Sequence, residues 1–345
     1  MSRYYNIVVG AETQAPVGQS GPSNNLGATW TNLVNGQADL GAQTVEWDIH
    51  TYTFDAPVSQ AYIKIWGPSK QQISQASDFN GAPIKVYGGM QKGLPLASGQ
   101  ANGQAGLLLS GQIFQAFGNW QGINQTLDFV VTTDGGATQS NPARLSFLWL
   151  KGQQLQQVIE QTLKTAYPAL SVSVNIDPNL VLNQTESGVY QTLQQFASYV
   201  QGISQDIIGG DYSGVKMTLA NNEINVYDSN TVFVGSPTQI AIQDMIGQPT
   251  WLDTATVQFN TVMRADLKMG SQVKFPQISG LQAVTTPQSG SNARIANTFN
   301  GSWQINYMRH VGNSRAPDAQ SWISTFQAIT NTAPAASLSV ANASA

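Results

Sequence analysis

Val45-Glu46-Trp47-Asp48-Ile49-His50-Thr51-Tyr52-Thr53-Phe54 is the stretch on which the reading of the fold turns. Val45, Trp47 and Ile49 are apolar, and the residues between them, Glu46, Asp48 and His50, are polar. Alternation at a period of two puts the first set on one face of a strand and the second on the other, as a half-buried sheet requires. The apolar phase then moves to Tyr52 and Phe54, a shift that predicts a β-bulge. Further strands are predicted at Ala61 to Trp66, Pro83 to Tyr87, Gly106 to Phe117 and Thr126 to Thr132, divided by the turn formers Gly67-Pro68, Gly88-Gly89 and Asp134-Gly135-Gly136. Short strands at this spacing imply a barrel or sandwich over residues 1–150. Residues 10–44 and 88–106, rich in Gly, Gln and Ser, are expected to be long loops, functional or ordered by a partner.

At Lys151 the period changes. Leu155, Val158, Ile159, Leu163 and Ala166 fall on one side and Gln154, Gln157, Gln161 and Lys164 on the other, the 3.6-residue pattern of an amphipathic helix that stops near Pro168. A strand over Leu170 to Ile176 follows, then a second helical stripe through Val189, Leu193, Phe196, Val200 and Ile203. Met217 to Leu219 and Ile224 to Tyr227, joined through Asn221-Asn222, predict a hairpin. Residues 151–236 are thus expected to form a small α+β domain. From 237 to 331 the β pattern returns: Ala255, Val257 and Phe259 alternate, a loop runs from Arg264 to Gly270, and strands are predicted around Val273 and Phe275, from Trp303 to Met308 and from Ser321 to Ile329. Residues 332–345, rich in Ala, Ser and Asn, are expected to be disordered. The expected class is therefore α+β and mainly β, with two β units flanking an inserted α+β domain.

Asp, Glu, Lys and Arg make up 10% of the 345 residues, against about 25% in an average soluble domain. Gln, Asn, Ser, Thr and Gly occupy the surface positions that charges usually hold. That suits a subunit covered by neighbours, and equally a secreted protein with a neutral surface. The net charge of −4 and the absence of any Lys/Arg run argue against sequence-nonspecific nucleic-acid binding. An acidic or neutral wall can still line a channel through which DNA passes, because it does not retain phosphates. With no cysteine, disulfides, thiolate zinc sites and cysteine nucleophiles are excluded, and the redox compartment stays undetermined. The first residues, Met1-Ser-Arg-Tyr-Tyr-Asn6, form no apolar segment of signal-peptide length, and Leu145 to Leu150 is too short to span a bilayer. No membrane insertion is expected, and assembly in the cytoplasm is.

Two segments carry a resemblance. Pro83-Ile-Lys-Val-Tyr-Gly-Gly89, followed after a loop by Leu109-Ser-Gly-Gln-Ile-Phe114, is similar to the strand, glycine and second strand of a tube-like barrel. In the C-terminal third, Ile246-Gly-Gln-Pro249 precedes the strand Ala255 to Thr261, the loop ending at Gly270 and the strand Gln272 to Phe275. Gly301-Ser-Trp-Gln-Ile-Asn-Tyr-Met-Arg-His310-Val-Gly312 then leads to Trp322. In this order the elements resemble those of the central hub proteins of contractile-tail baseplates, including late-control tail proteins of temperate phages and their counterparts in secretion and pyocin-like particles. The Gly/Gln-rich loop 88–106 and the segment Arg294 to Phe299 depart from the pattern. The resemblance implies two tube-like β-barrels per chain and a homotrimeric ring of pseudo-sixfold symmetry. That ring would join a hexameric tail tube, or its initiator protein, to a trimeric central spike. Wedge proteins would surround it and DNA would pass only in transit, in the virion, with no catalytic residue, metal or cofactor.

Chemistry is weighed against that reading. His50 beside Glu46 and Asp48 could be drawn as a metal or acid/base cluster, and a solvated strand face accounts for the same residues. His310 ends a strand and is expected to make a structural hydrogen bond. Glu12, Asp177, Glu186, Asp206 and Asp211 share no signature of a glycoside-hydrolase pair. Ser20-Gly21 and Ser98-Gly99 lack a nucleophile elbow, and Gly99, Gly103 and Gly106 lack phosphate-loop spacing. A carbohydrate-binding tail protein or a tail-associated cell-wall hydrolase is the alternative class. Eight Trp could supply sugar platforms, but Trp47, Trp66, Trp149 and Trp303 fall within strands and are expected in the core. From the low charge follows a first prediction: the isolated protein self-associates in light scattering, whereas a monomer insensitive to salt and concentration would count against a subunit role.

Overall fold

The computed structural model describes residues 3–10, 27–34, 37–52, 60–90, 104–133, 144–168, 170–210, 212–220, 223–228, 237–253, 255–276, 299 and 301–330. Among these, thirteen strands belong to one hydrogen-bonded sheet. Its path runs Thr250–Trp251, Thr256–Val262, Trp322–Ile329, Trp303–Asn313, Val45–Tyr52, Gln60–Trp66, Asn124–Thr132, Gly106–Gln121, Pro83–Met90, Arg3–Val9 and Ala28–Thr31. Off this path, Gln272–Lys274 pairs with the Trp303–Asn313 strand and, in parallel, with Thr238–Gln239. The strand that opened the sequence reading lies at the junction. On one side Val45–Tyr52 pairs with Gln60–Trp66, and on the other with Trp303–Asn313, from Tyr307 opposite Tyr52 to Asn313 opposite Glu46. The two β units expected from the sequence are therefore continuous through main-chain hydrogen bonds.

Val45, Trp47, Ile49 and Thr51 are all buried, so the inward phase runs unbroken to Thr51. The predicted bulge does not occur there, because the pairing register fixes which side faces the core even where the residue is a threonine. Phe54 lies outside the described residues. The register shifts instead at Val86/Tyr87, Ile113/Gln115 and Ile305/Tyr307.

Three hydrophobic clusters form. The first packs Tyr5, Ile7, Trp30, Trp47, Ile63, Phe79, Val86, Ile113 and Phe129, and it includes Met263 and Trp322 from the C-terminal third. The second lies in the middle of the chain, under helices Leu155–Ala166 and Leu193–Ile208. Leu145, Phe147 and Trp149, which the sequence division left with the first unit, pack there, on a strand paired with Glu186–Tyr190. The third holds Val257, Phe259, Phe275, Trp303, Ile305 and Phe326. The 217–227 hairpin forms as Lys216–Ala220 against Glu223–Tyr227, and Ser171–Asn175 adds to it in parallel. Val189 does not open the second helix. It sits in the Glu186–Tyr190 strand with 71% of its surface exposed, and the helix starts after Thr192, whose hydroxyl accepts from the Gln195 amide.

Two loop expectations are corrected. Ala28–Thr31, Leu33–Val34 and Gln37–Ala38 are short strands within 10–44. Gly88 and Gly89 are not a turn but part of the Pro83–Met90 strand. Both pair across the ladder, Gly88 with Tyr5 and Gly89 with Tyr4, and at Gly88 a side chain has no room beside Leu108 and Trp47. A Cβ on Gly88 would lie 2.9 Å from its ring, and one on Gly312, the residue paired with Trp47, would lie 2.4 Å from it. Two glycines thus open the space that one indole fills, and Trp322 meets that indole at 4.8 Å between ring centroids while donating its N–H to the Gly89 carbonyl at 3.0 Å. Residues 91–103 and 331–345, which contain most of the 88–106 loop and the expected disordered tail, lie outside the described residues.

Overpacking a tight core costs about 1–3 kcal/mol, so Gly312→Ala is expected to lower the unfolding free energy by that amount, seen as a lower urea midpoint, and adding Trp47→Phe to recover part of it. Equal midpoints for Gly312→Ala and the parent protein would show that Trp47 does not depend on the glycine.

Candidate functional site

The outward face of the junction strand carries Glu46, Asp48 and His50, and the neighbouring strands meet each of them. Arg309 donates from Nε and Nη2 to the two Asp48 carboxylate oxygens at 2.8 and 2.6 Å. His50 Nε2 lies 2.9 Å from Asp48 Oδ1, and the Tyr307 hydroxyl 3.3 Å from His50 Nδ1. Glu46 Oε1 accepts from Asn313 at 3.0 Å and from the Trp66 indole at 3.1 Å. One strand further, Asp128 accepts from the Tyr62 hydroxyl at 3.0 Å and the Thr126 hydroxyl at 3.0 Å, with Lys64 at 3.8 Å. Lys64 also lies over the Trp66 ring at 5.5 Å. Burial works against charge on Asp48, but hydrogen bonds from Arg309 and the adjacent His50 hold it below the ordinary carboxylate range.

The sequence-flagged trio is thus a lattice across three strands. Among the described residues no group of three or more His, Cys, Asp or Glu is arranged to hold a metal. Trp66, expected in the core, belongs to this outer lattice, whereas Trp47, Trp149 and Trp303 are buried. Of the carboxylates listed from the sequence, Glu12 and Asp211 lie outside the described residues, as do Ser20, Gly21, Ser98, Gly99 and Gly103. Asp177 accepts from the Asn179 amide at 2.8 Å, and Glu186 from the Gln184 side chain at 3.0 Å. Asp206 is exposed on helix Leu193–Ile208. These three stand on separate elements of the middle unit.

His310 is fully enclosed. Its Nδ1 lies 2.7 Å from the Ser324 hydroxyl, which also accepts from the Arg264 amide at 3.1 Å, and Phe326 stands edge-on to the ring. Burial pushes its pKa down to about 4, so the ring is neutral in the folded protein. Arg264 itself was not singled out by sequence reasoning. It is buried and binds Asp266 in a two-point contact at 2.7 and 2.5 Å, with Asp244 at 3.5 Å from Nη1. The one signal available was Arg264-Ala-Asp266, opposite charges two residues apart in a loop of a chain with few charges.

Set against known proteins, the sequence matches no family model and no curated protein. The fold does find matches among solved structures. A tail protein from Neisseria meningitidis superposes with a TM-score of 0.52 at 9% identity, over 96% of this chain and 98% of that one. This chain has the fold of that tail protein. A 43 kDa tail protein from a Shewanella oneidensis prophage gives 0.50 at 9% identity, again over 96% and 98%. An E. coli component of the type VI secretion system, described as structurally similar to the phage T4 tail proteins gp27 and gp5, gives 0.51 at 11% identity over 86% of this chain and 76% of that one. The resemblance read from the order of elements holds at the level of the fold, which is shared with these tail and secretion-system proteins.

Because the unfolded chain takes up the His310 proton near its ordinary 6.5 and the folded protein only near 4, stability is full above about pH 6.5 and falls as the pH drops toward 4. The loss reaches about 3 kcal/mol at the acid end. Asp48 acts at lower pH, below its ordinary 3.8. Urea unfolding between pH 7 and 4 is expected to show this slope, and His310→Gln to flatten it; parallel slopes would place the acid sensitivity elsewhere.

Proposed function

We propose that this chain is the central hub of a contractile-tail baseplate, a structural protein of the virion rather than an enzyme. In this reading residues 1–150 and 237–331 are two tube-like barrels and residues 151–236 a middle domain on the outer or spike side. Three chains close a ring of six similar modules. Such a ring matches a hexameric tail tube, or its initiator protein, on one face and a trimeric spike on the other, with wedge proteins around it.

The observation that carries this reading is the continuous sheet through Val45–Tyr52 and Trp303–Asn313. Two β units of one chain already pair edge to edge, and closing a ring asks neighbouring chains to continue that arrangement under a closed symmetry operator. Among the described residues the sheet ends in Ala28–Thr31 and Thr250–Trp251, strands of four and two residues. Short end strands are where a sheet can be covered by a neighbour without inviting open-ended aggregation. The lattice on the outer face supports passage of DNA through the bore. Arg309 is engaged by Asp48 and Lys64 sits beside Asp128, so neither cation is free to hold a phosphate backbone.

Native mass spectrometry of the purified protein, with electron microscopy of negatively stained particles, tests the proposal. The expected result is a closed three-chain ring with a central bore. A compact monomer at every concentration would discard it.

A further inference from the structure

Exposed large apolar side chains concentrate on one hairpin. The strands Gly106–Gln121 and Asn124–Thr132 turn at Gly122-Ile123, and Phe114, Phe117, Trp120 and Ile123 are 69, 42, 57 and 97% exposed. They do not share a face. Phe117 pairs with Asp128, whose side chain meets Tyr62 on the outer side of the sheet. Trp120 stands with Gly118, where a Cβ would run into Ile73 on the opposite side, and Lys70 lies over the Trp120 ring at 5.2 Å. Ile123 is the tip. From Gly111 to Gln125 there is no charged residue.

A hairpin apolar on both faces and at its tip is shaped for insertion between surfaces rather than for lying on one. A partner that accepts its Phe117 face and Ile123 tip must itself be uncharged and apolar there, since a charged groove would lose its solvation against those side chains with nothing to pair it.

The same chain offers such a surface. The Leu145–Trp149 and Glu186–Tyr190 strands form a sheet of two, buried on one side through Leu145, Phe147 and Trp149. On its other side stand Ser146, Leu148, Ser187 and Val189, with Leu148 and Val189 56 and 71% exposed; Leu150, just beyond, is 50% exposed. None of these residues is charged.

We infer that the 106–132 hairpin of one chain docks on the Leu148/Val189 face of a second copy of this chain. The two surfaces are different, so the contact is head-to-tail and repeats until the ring closes. This rests on the proposed ring and names the surfaces that build it.

The test uses two full-length variants, Phe117→Asp with Ile123→Asp, and Leu148→Asp with Val189→Asp. All four positions are exposed, and unchanged thermal melting would show that both variants fold. Each alone is expected to sediment as a monomer. Mixed, they retain one intact hairpin and one intact face between them and are expected to form a single 1:1 complex of twice the 36.9 kDa chain mass. Variants that still assemble like a ring-forming parent, or monomers that fail to pair on mixing, would overturn the inference and leave the ring reading standing. A parent that is itself monomeric would overturn both.

Discussion

Everything in this molecule hangs on one pairing, Val45–Tyr52 against Trp303–Asn313, strands more than 250 residues apart in the chain. Main-chain hydrogen bonds set its register, and Trp47 over Gly312 locks it. A slip by one residue would turn Trp47 to solvent and Asp48 into the core, each a large cost. The other links between the two β units follow from it. Trp322 reaches Gly89, Ala265 donates its amide to the Gln104 carbonyl, and Arg3 reaches the carbonyls of Asn313 and Asp318, all across the same junction.

Once the junction is in place, the two sides of the sheet do different work. Inward, indoles, phenyl rings and branched aliphatics fill the space. Outward, Arg309 pairs with Asp48 and Lys64 lies beside Asp128, while amides, hydroxyls and an indole complete the lattice. Such a surface presents shape and hydrogen bonds rather than net charge. Arg264 lies inside the fold, buried and answered by Asp266 and Asp244, so that a loop of seven residues, 264–270, is tied down from inside. Breaking such a pair by removing one partner costs far more than the pair contributes intact.

Much of this was legible in the residues. Alternation at Val45 to Ile49 and the 3.6-residue stripe from Leu155 gave both element types correctly, because each side chain there simply follows its burial. The readings failed where a distant partner decided the outcome. Gly88-Gly89 reads as a turn locally, yet the space is taken by an indole 41 positions away from Gly88. Val189 fits a helical stripe, yet a threonine cap starts the helix at Leu193 and leaves Val189 to a strand. Ala28–Thr31 is too short to show a period, and its strand exists because Arg3–Val9 offers it an edge. The polar trio at 46, 48 and 50 was visible as a cluster, but its partners Arg309, Tyr307 and Asn313 could be found only through the long-range pairing.

The same geometry says what holds the halves together. The Arg309–Asp48 pair is tidy, but its side chains are 41 and 35% exposed, and ion pairs so wetted contribute about 0–1 kcal/mol and weaken with salt. The Trp47 contact is dry. Removing a buried tryptophan side chain costs about 3–5 kcal/mol, several times the ion pair, and salt does not screen it. The outer lattice is thus a wetted, weak contribution, while the indole between two glycines supplies the dry contact that reinforces the main-chain pairing of the two β units.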